Sequence, residues 1–177
     1  GEAVQLTERP GMQVPCSWSP DGKRLVFFET ASMSMGVLAI DEEHSVNPFP
    51  NGSAIDADGE VSPDGNWLAF AVNESGDGSD QFEIIVQAFP DPGERVQISI
   101  GGGRWPRWAP NGKELYYQNG TKMMAVAVQT KPDFCANSPQ ILFEGSYYGP
   151  MMDGRNYDVT ADGGFLMILR GREANTG

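Results

Sequence analysis

The chain has 177 residues, 12 of them basic and 24 acidic, for a formal charge of −12. That balance argues against the basic face a nucleic-acid partner requires and is compatible with solubility, with a basic protein partner or with weak cation binding. No run of 18 apolar residues occurs, so no helical membrane span is expected. With 22 Gly, 13 Pro and no sustained helical period, the chain points to an all-β protein rich in tight turns. Gly1-Glu2-Ala3 offers neither an initiator Met nor a signal peptide, so a mature product or an excised piece is expected.

Residues 4–7 read as a short strand, and Glu8-Arg9-Pro10-Gly11 breaks the chain behind it. Residues 14–18 then lead into Ser19-Pro20-Asp21-Gly22, a turn in which Pro presets φ and Gly takes the left-handed corner. Residues 35–40 supply a third strand, and the stretch after Asp41-Glu42-Glu43-His44 a weak fourth. The turn returns as Ser62-Pro63-Asp64-Gly65, followed by strands at 67–72, 82–89 and 95–98 around a polar loop at 73–80. A third copy, Ala109-Pro110-Asn111-Gly112, is entered through Gly101-Gly102-Gly103 and Arg104-Trp105-Pro106-Arg107-Trp108. Strands follow at 114–118, 123–128 and 140–143, and the alternation Met124, Val126, Val128 predicts one face packed more deeply than the other. The fourth copy, Thr160-Ala161-Asp162-Gly163, joins strands at 157–159 and 165–169, and the tail beyond Arg170 has nothing to bury.

The turns recur 43, 47 and 51 residues apart, from Asp21 to Asp64 to Asn111 to Asp162. Each is preceded by an apolar residue, Trp18, Val61, Trp108 or Val159. Three residues past each glycine stands Leu25, Leu68, Leu115 or Leu166, and five past it Phe27, Phe70, Tyr117 or Ile168. The residues between are mostly apolar too, so these strands must be covered on both faces. The period is that of four-stranded propeller blades. A single module over 1–177 is expected, with repeat hairpins at 14–29, 58–72, 104–118 and 156–169. It amounts to a β-propeller, or a fragment of one, with four-stranded antiparallel blades, about three of them full and a fourth in part.

The Trp-Ser-Pro-Asp-Gly turn followed by an apolar strand resembles the WD-like propeller repeat of the TolB family. Asn73-Glu74-Ser75-Gly76, Phe82-Glu83-Ile84, Ala88-Phe89-Pro90, Met123-Met124-Ala125-Val126 and Arg155-Asn156-Tyr157-Asp158-Val159 are similar to the C-terminal propeller of bacterial receptor-like serine/threonine kinases and related periplasmic proteins. Ala161 in place of the turn proline and a long polar loop after Ser75 depart from the pattern. The resemblance implies that the strand before each turn lines a central channel and that a strand from the opposite chain end closes the ring, for which residues 4–7 are the candidate. It also implies a periplasmic or otherwise extracytoplasmic site of action. Blade faces left uncovered would expose apolar surface, so self-association is expected.

Chemistry is sparse in this sequence. No Gly-x-Ser-x-Gly elbow is present, and the one histidine, His44, lies in a polar stretch that reads as solvated surface. One histidine and two distant cysteines do not compose a zinc site. Cys16, in an inner strand, and Cys135, in a loop before an outer strand, are either bridged or two idle thiols. Asp56 and Asp58 are weak calcium candidates to which Asn73, Asp77 and Asp80 would add oxygens; the alternative is a set of solvated acidic turns. No cofactor is expected.

Two residues before each turn's first position stand Ser17, Glu60, Arg107 and Asp158, equivalent places beside the axis, with Arg104 and Trp105 near an entrance. Arg107 between Glu60 and Asp158 either holds a peptide end or loop through charge-assisted hydrogen bonds or ties blades together as ion pairs. The four tryptophans read as blade packing. The expected function is therefore a non-catalytic module that binds a protein or peptide partner. The alternative is a carbohydrate-active or peptidase-associated propeller, itself an enzyme or accessory to one.

Overall fold

The computed structural model describes residues 2–41, 43–49, 55–75, 81–147 and 156–168. These form antiparallel strands and turns with no helix, and none of the described segments is a helix long and apolar enough to cross a membrane. Blade 1 is the sheet β1 (Gln13–Trp18), β2 (Arg24–Glu29), β3 (Ser34–Ala39) and β4 (Val46–Pro48), in that order from the inside out. Blade 2 repeats it with β5 (Ile55–Val61), β6 (Trp67–Asn73), β7 (Glu83–Ala88) and β8 (Arg95–Gln97). Blade 3 has β9 (Arg104–Trp108), β10 (Glu114–Asn119) and β11 (Lys122–Gln129), whose far edge pairs with both β12 (Cys135–Ala136) and β13 (Gln140–Glu144). The fourth unit is the hairpin of β14 (Tyr157–Val159) and β15 (Phe165–Met167). The architecture is an arc of a β-propeller.

Each turn is fixed by more than its proline and glycine. Gly22, Gly65 and Gly112 have φ of 70°, 75° and 68°, the left-handed corner where an L-residue is penalised. The Asp before the glycine is a working acceptor: Ser19 donates its hydroxyl to Asp21 at 2.6 Å and Ser62 does the same to Asp64 at 2.7 Å. The same serine oxygens accept the backbone N–H groups of Arg24 and Trp67. In the third turn Ala109 has no hydroxyl, and Asn111 keeps the bond common to all three turns, accepting the Lys113 N–H at 2.9 Å as Asp21 accepts that of Lys23 and Asp64 that of Asn66.

Blades pack face to face through alternating residues of their second strands. From β6, Leu68, Phe70 and Val72 meet Val26, Met35 and Val37 of blade 1, whereas Trp67, Ala69 and Ala71 meet Trp108, Leu115, Tyr117 and Val126 of blade 3. Burial of both faces is why this strand reads as a continuous apolar run. The approach of blades 1 and 2 is close at Gly59, where a Cβ would lie 2.7 Å from the Met35 sulfur.

Three expectations are corrected. Residues 4–7 form no strand; they run as an irregular strap along blade 1, secured by Arg9, whose guanidinium makes two bonds to Glu29 at 2.6 and 2.9 Å. The repeat alignment slips in the fourth unit. Its closing bond runs from Thr160 N–H to Gly164 O, one residue shorter than Ser19 to Arg24, Ser62 to Trp67 and Ala109 to Glu114. Val159 therefore faces Phe165, as Trp18 faces Leu25, Val61 faces Leu68 and Trp108 faces Leu115. Phe165 and Met167 pack on blade 3, and Leu166 points the other way, 70% exposed.

In β11 the predicted one-sided packing fails, because Met123 and Ala125 are buried against the fourth unit while Val126 is buried against blade 2. Cys16 and Cys135 are not joined: the Cys16 thiol donates to Val14 O at 3.5 Å, and Cys135 stands exposed on β12. The sequence reading of 169 and of the tail beyond it falls outside the described residues.

Candidate binding site

The inner strands β1, β5 and β9 lie side by side, and each carries a bulge at the same repeat position. In blade 2 two residues, Asp58 and Gly59, oppose Phe70; in blade 3 Trp105 and Pro106 oppose Tyr117. An extra residue forces a local bend, and here it places Asp58 at φ 61° and Trp105 at φ 53°. A left-handed tryptophan is uncommon and costs backbone energy. The bend turns the following residue, Glu60 or Arg107, toward the neighbouring blade.

The result is a ladder across the four units. Ser17 Oγ accepts the Val61 N–H at 3.1 Å. Arg107 bonds Glu60 Oε1 through Nη1 and Asp158 Oδ1 through Nη2, the latter at 2.9 Å. The Glu60 carboxylate is nearly buried, the guanidinium partly so, and the Asp158 side chain is 61% exposed. A second rung lies beside the first: Arg104 Nε donates to Asp58 Oδ2 at 2.8 Å, the Trp105 N–H reaches the same oxygen at 3.4 Å, and Tyr157 donates its hydroxyl to Trp105 O at 2.6 Å. The Arg104 guanidinium also lies 4.1 Å above the Phe82 ring and 4.9 Å above that of Trp105.

All six sequence-nominated residues, Ser17, Glu60, Arg104, Trp105, Arg107 and Asp158, thus fall on this one inner surface. Tyr157 and the bulge were not foreseen, since nothing in an Asn-Tyr-Asp triplet distinguishes a hydroxyl aimed at a neighbouring carbonyl from a core aromatic. Of the tryptophans, Trp67 and Trp108 pack between blades as expected, Trp105 borders the ladder, and Trp18 is exposed.

Asp56 and Asp58 do different things. Asp58 is spoken for by Arg104. Asp56 is fully buried with neither oxygen hydrogen-bonded among the described residues, and burial pushes its pKa up to about 7, Arg95 opposing and Glu74 adding to the shift. Among the described residues no three His, Cys, Asp or Glu side chains converge to hold a metal ion, and Asp77 and Asp80 lie outside them. His44 sits in a loop at φ 48°, its N–H donated to Asp41.

No protein-family model matches the chain, and no curated protein matches it. Solved structures do. A protein provisionally named TolB from Agrobacterium tumefaciens matches 77% of this chain and 51% of its own, with 18% identity and a TM-score of 0.58. TolB from Acinetobacter baumannii matches 80% of this chain and 35% of its own, with 21% identity and a TM-score of 0.56. A protein provisionally named a 6-phosphogluconolactonase from Bacteroides uniformis matches 90% of this chain and 48% of its own, with 16% identity and a TM-score of 0.58. The chain spans about half the length, or less, of these structures. At such identities the likeness is one of fold: this chain has the fold of a TolB-like β-propeller.

Proposed function

We propose that this chain is a non-catalytic propeller module that binds a protein or peptide partner at the axial ladder, acts outside the cytoplasm, and associates with copies of itself. The observation that carries the binding reading is Arg107 held between Glu60 and Asp158. Two carboxylates from neighbouring units fix the guanidinium, so an incoming chain meets charges already oriented and the ordering cost of binding is reduced. The exposed Asp158 carboxylate offers an acceptor to peptide N–H groups or cationic side chains, and the formal charge of −12 favours a basic partner at long range. The extracytoplasmic placement is supported by the resemblance of the repeats to TolB and to the propellers of receptor-like kinases, which also supports a sensor or scaffold role.

Selection of a displayed peptide library on the chain tests the binding reading. Selected peptides should be enriched in Lys and Arg and bind Asp158→Asn at least ten-fold more weakly. Peptides that bind Asp158→Asn and Arg107→Gln as well as they bind the wild type would remove the ladder as the site. A second reading, a carbohydrate-active propeller, draws on the fold likeness to the provisionally named 6-phosphogluconolactonase. Sugar-lactone hydrolysis that disappears in Asp158→Asn would favour it.

A further inference from the structure

We propose that Tyr157 is a positioning residue of the axial ladder: its hydroxyl holds the left-handed bulge of β9 that brings Arg104 and Arg107 to one face. This deepens the binding reading above and rests on it.

Register makes the bulge indispensable. Residues three apart on a regular strand leave the sheet on opposite faces. Arg104 and Arg107 are three apart, yet they stand across from Gln118 and Tyr116, which are two apart on β10. The extra residue in β9 therefore puts both arginines on one face. Both guanidiniums then reach carboxylates of β5, Arg104 at Asp58 and Arg107 at Glu60. In an unbulged strand one of the two would point away.

Trp105 does not favour this bulge by itself. Its φ of 53° lies where a bulky side chain is penalised, and it precedes Pro106, before which the backbone prefers to be extended. Such a conformation persists where the surroundings impose it. Tyr157 of the fourth unit donates its hydroxyl to the Trp105 carbonyl at 2.6 Å, and Asp58 of blade 2, itself at φ 61°, accepts the Trp105 N–H at 3.4 Å. The tyrosine bond is the shorter, and the Asp58 oxygen also serves Arg104 at 2.8 Å. Tyr157 is buried with its ring beside Phe165, so the hydroxyl approaches from a fixed place. Tyr157 and Asp158, consecutive on β14, thus act on one ladder: the first sets the strand that aims Arg107, and the second receives its guanidinium at 2.9 Å.

Proton–nitrogen spectra of the guanidinium groups test this, with the Arg107 signals assigned by their loss in Arg107→Lys. The wild type should show separate Nη signals for Arg107, because Glu60 and Asp158 hold one nitrogen each. Tyr157→Phe keeps the ring and loses the donor, and its Arg107 Nη signals should merge. Adding Trp105→Gly to Tyr157→Phe should separate them again, since glycine takes a positive φ without a clamp. Trp105→Asn, which tolerates the same region, forms a second rescue, and a cooperative thermal transition checks that each variant is folded. Peptides from the displayed-library selection should bind Tyr157→Phe at least ten-fold more weakly than the wild type. Arg107 signals unchanged in Tyr157→Phe, or a loss that neither substitution at 105 restores, would reduce Tyr157 to a packing residue and overturn the proposal. Signals that follow the expected order while peptide affinity stays constant keep Tyr157 in its role and remove the ladder as the binding site.

Discussion

Trp108 and Glu60 meet across the interface of blades 2 and 3, the indole N–H donating to the backbone carbonyl at 3.0 Å beneath the Arg107 to Glu60 ion pair. One residue supplies a carbonyl to the core and a carboxylate to the axis, so packing and charge are fixed by the same bulged strand. Trp108→Phe keeps most of the ring's contacts and removes the donor. It should destabilise by about 1–2 kcal/mol, since the buried carbonyl loses its partner. Trp18→Phe, at the equivalent exposed position, should leave the monomer's stability within about 0.5 kcal/mol. Urea unfolding of both variants at a concentration that holds the chain monomeric decides the matter, and equal effects would contradict the assigned interface.

The Arg107 bridge should be worth more to Glu60 than to Asp158. Glu60 is nearly buried, and stripping its cation leaves a desolvated charge; the exposed Asp158 pairs in water, where ion pairs contribute roughly 0–1 kcal/mol. Arg107→Met should therefore cost about 2 kcal/mol, and much of that loss should vanish in the Glu60→Gln background. A double-mutant cycle by thermal unfolding measures it. Additive effects in the cycle would mean that the pair is not coupled.

The fourth hairpin provides a test of register. Phe165→Ala should destabilise by about 2–4 kcal/mol through the loss of contacts with Tyr116, Phe143 and Tyr157, whereas Leu166→Ala should be nearly neutral in the monomer. The unshifted alignment, with Leu166 equivalent to Leu68, requires the opposite order. Gly65→Ala, with only Pro20 within 4 Å of the added methyl, should cost the roughly 1–2 kcal/mol of a left-handed L-residue and little more.

That slip shows what was legible in the sequence and what was not. Turn chemistry is local, so Ser62-Pro63-Asp64-Gly65 and its copies announce hairpins directly, and burial on both faces leaves an unbroken apolar run such as residues 67–72. The fourth loop has a second glycine, Gly164, after Gly163, and counting from the first does not reveal that the closing bond ends at the second. At the axis, spacing placed Ser17, Glu60, Arg107 and Asp158 at one repeat position. The bulge that aims two of them depends on the left-handed Asp58 and Trp105, and neither residue type signals it. The strap was unreadable for a related reason: Gln5, Leu6 and Thr7 alternate like a strand, but what holds them is Arg9 on Glu29 and Thr7 on Gln13, contacts made after the chain has turned.

Asp56 and Glu29 should give stability a dome-shaped dependence on pH. Asp56 has a folded pKa of about 7 against an ordinary value of 3.8, so between these values the folded state holds a proton that the unfolded chain has released. Its contribution is intact at or below pH 4 and declines as pH rises to 7, by about 1.4 kcal/mol per unit at most. Glu29 runs the other way. The Arg9 and Ser32 hydrogen bonds hold its pKa at about 2, below the ordinary 4.5, so the stability it adds is present above pH 4.5 and lost as pH falls toward 2. Asp56→Asn mimics the protonated acid at all pH values. It should match the wild type near pH 4 and be the more stable of the two at pH 8, while Glu29→Gln should flatten the acid limb alone. Urea midpoints taken from pH 3 to 8 would expose the error if Asp56→Asn were destabilising at pH 8, because that would mean the carboxylate is charged and satisfied in the folded state.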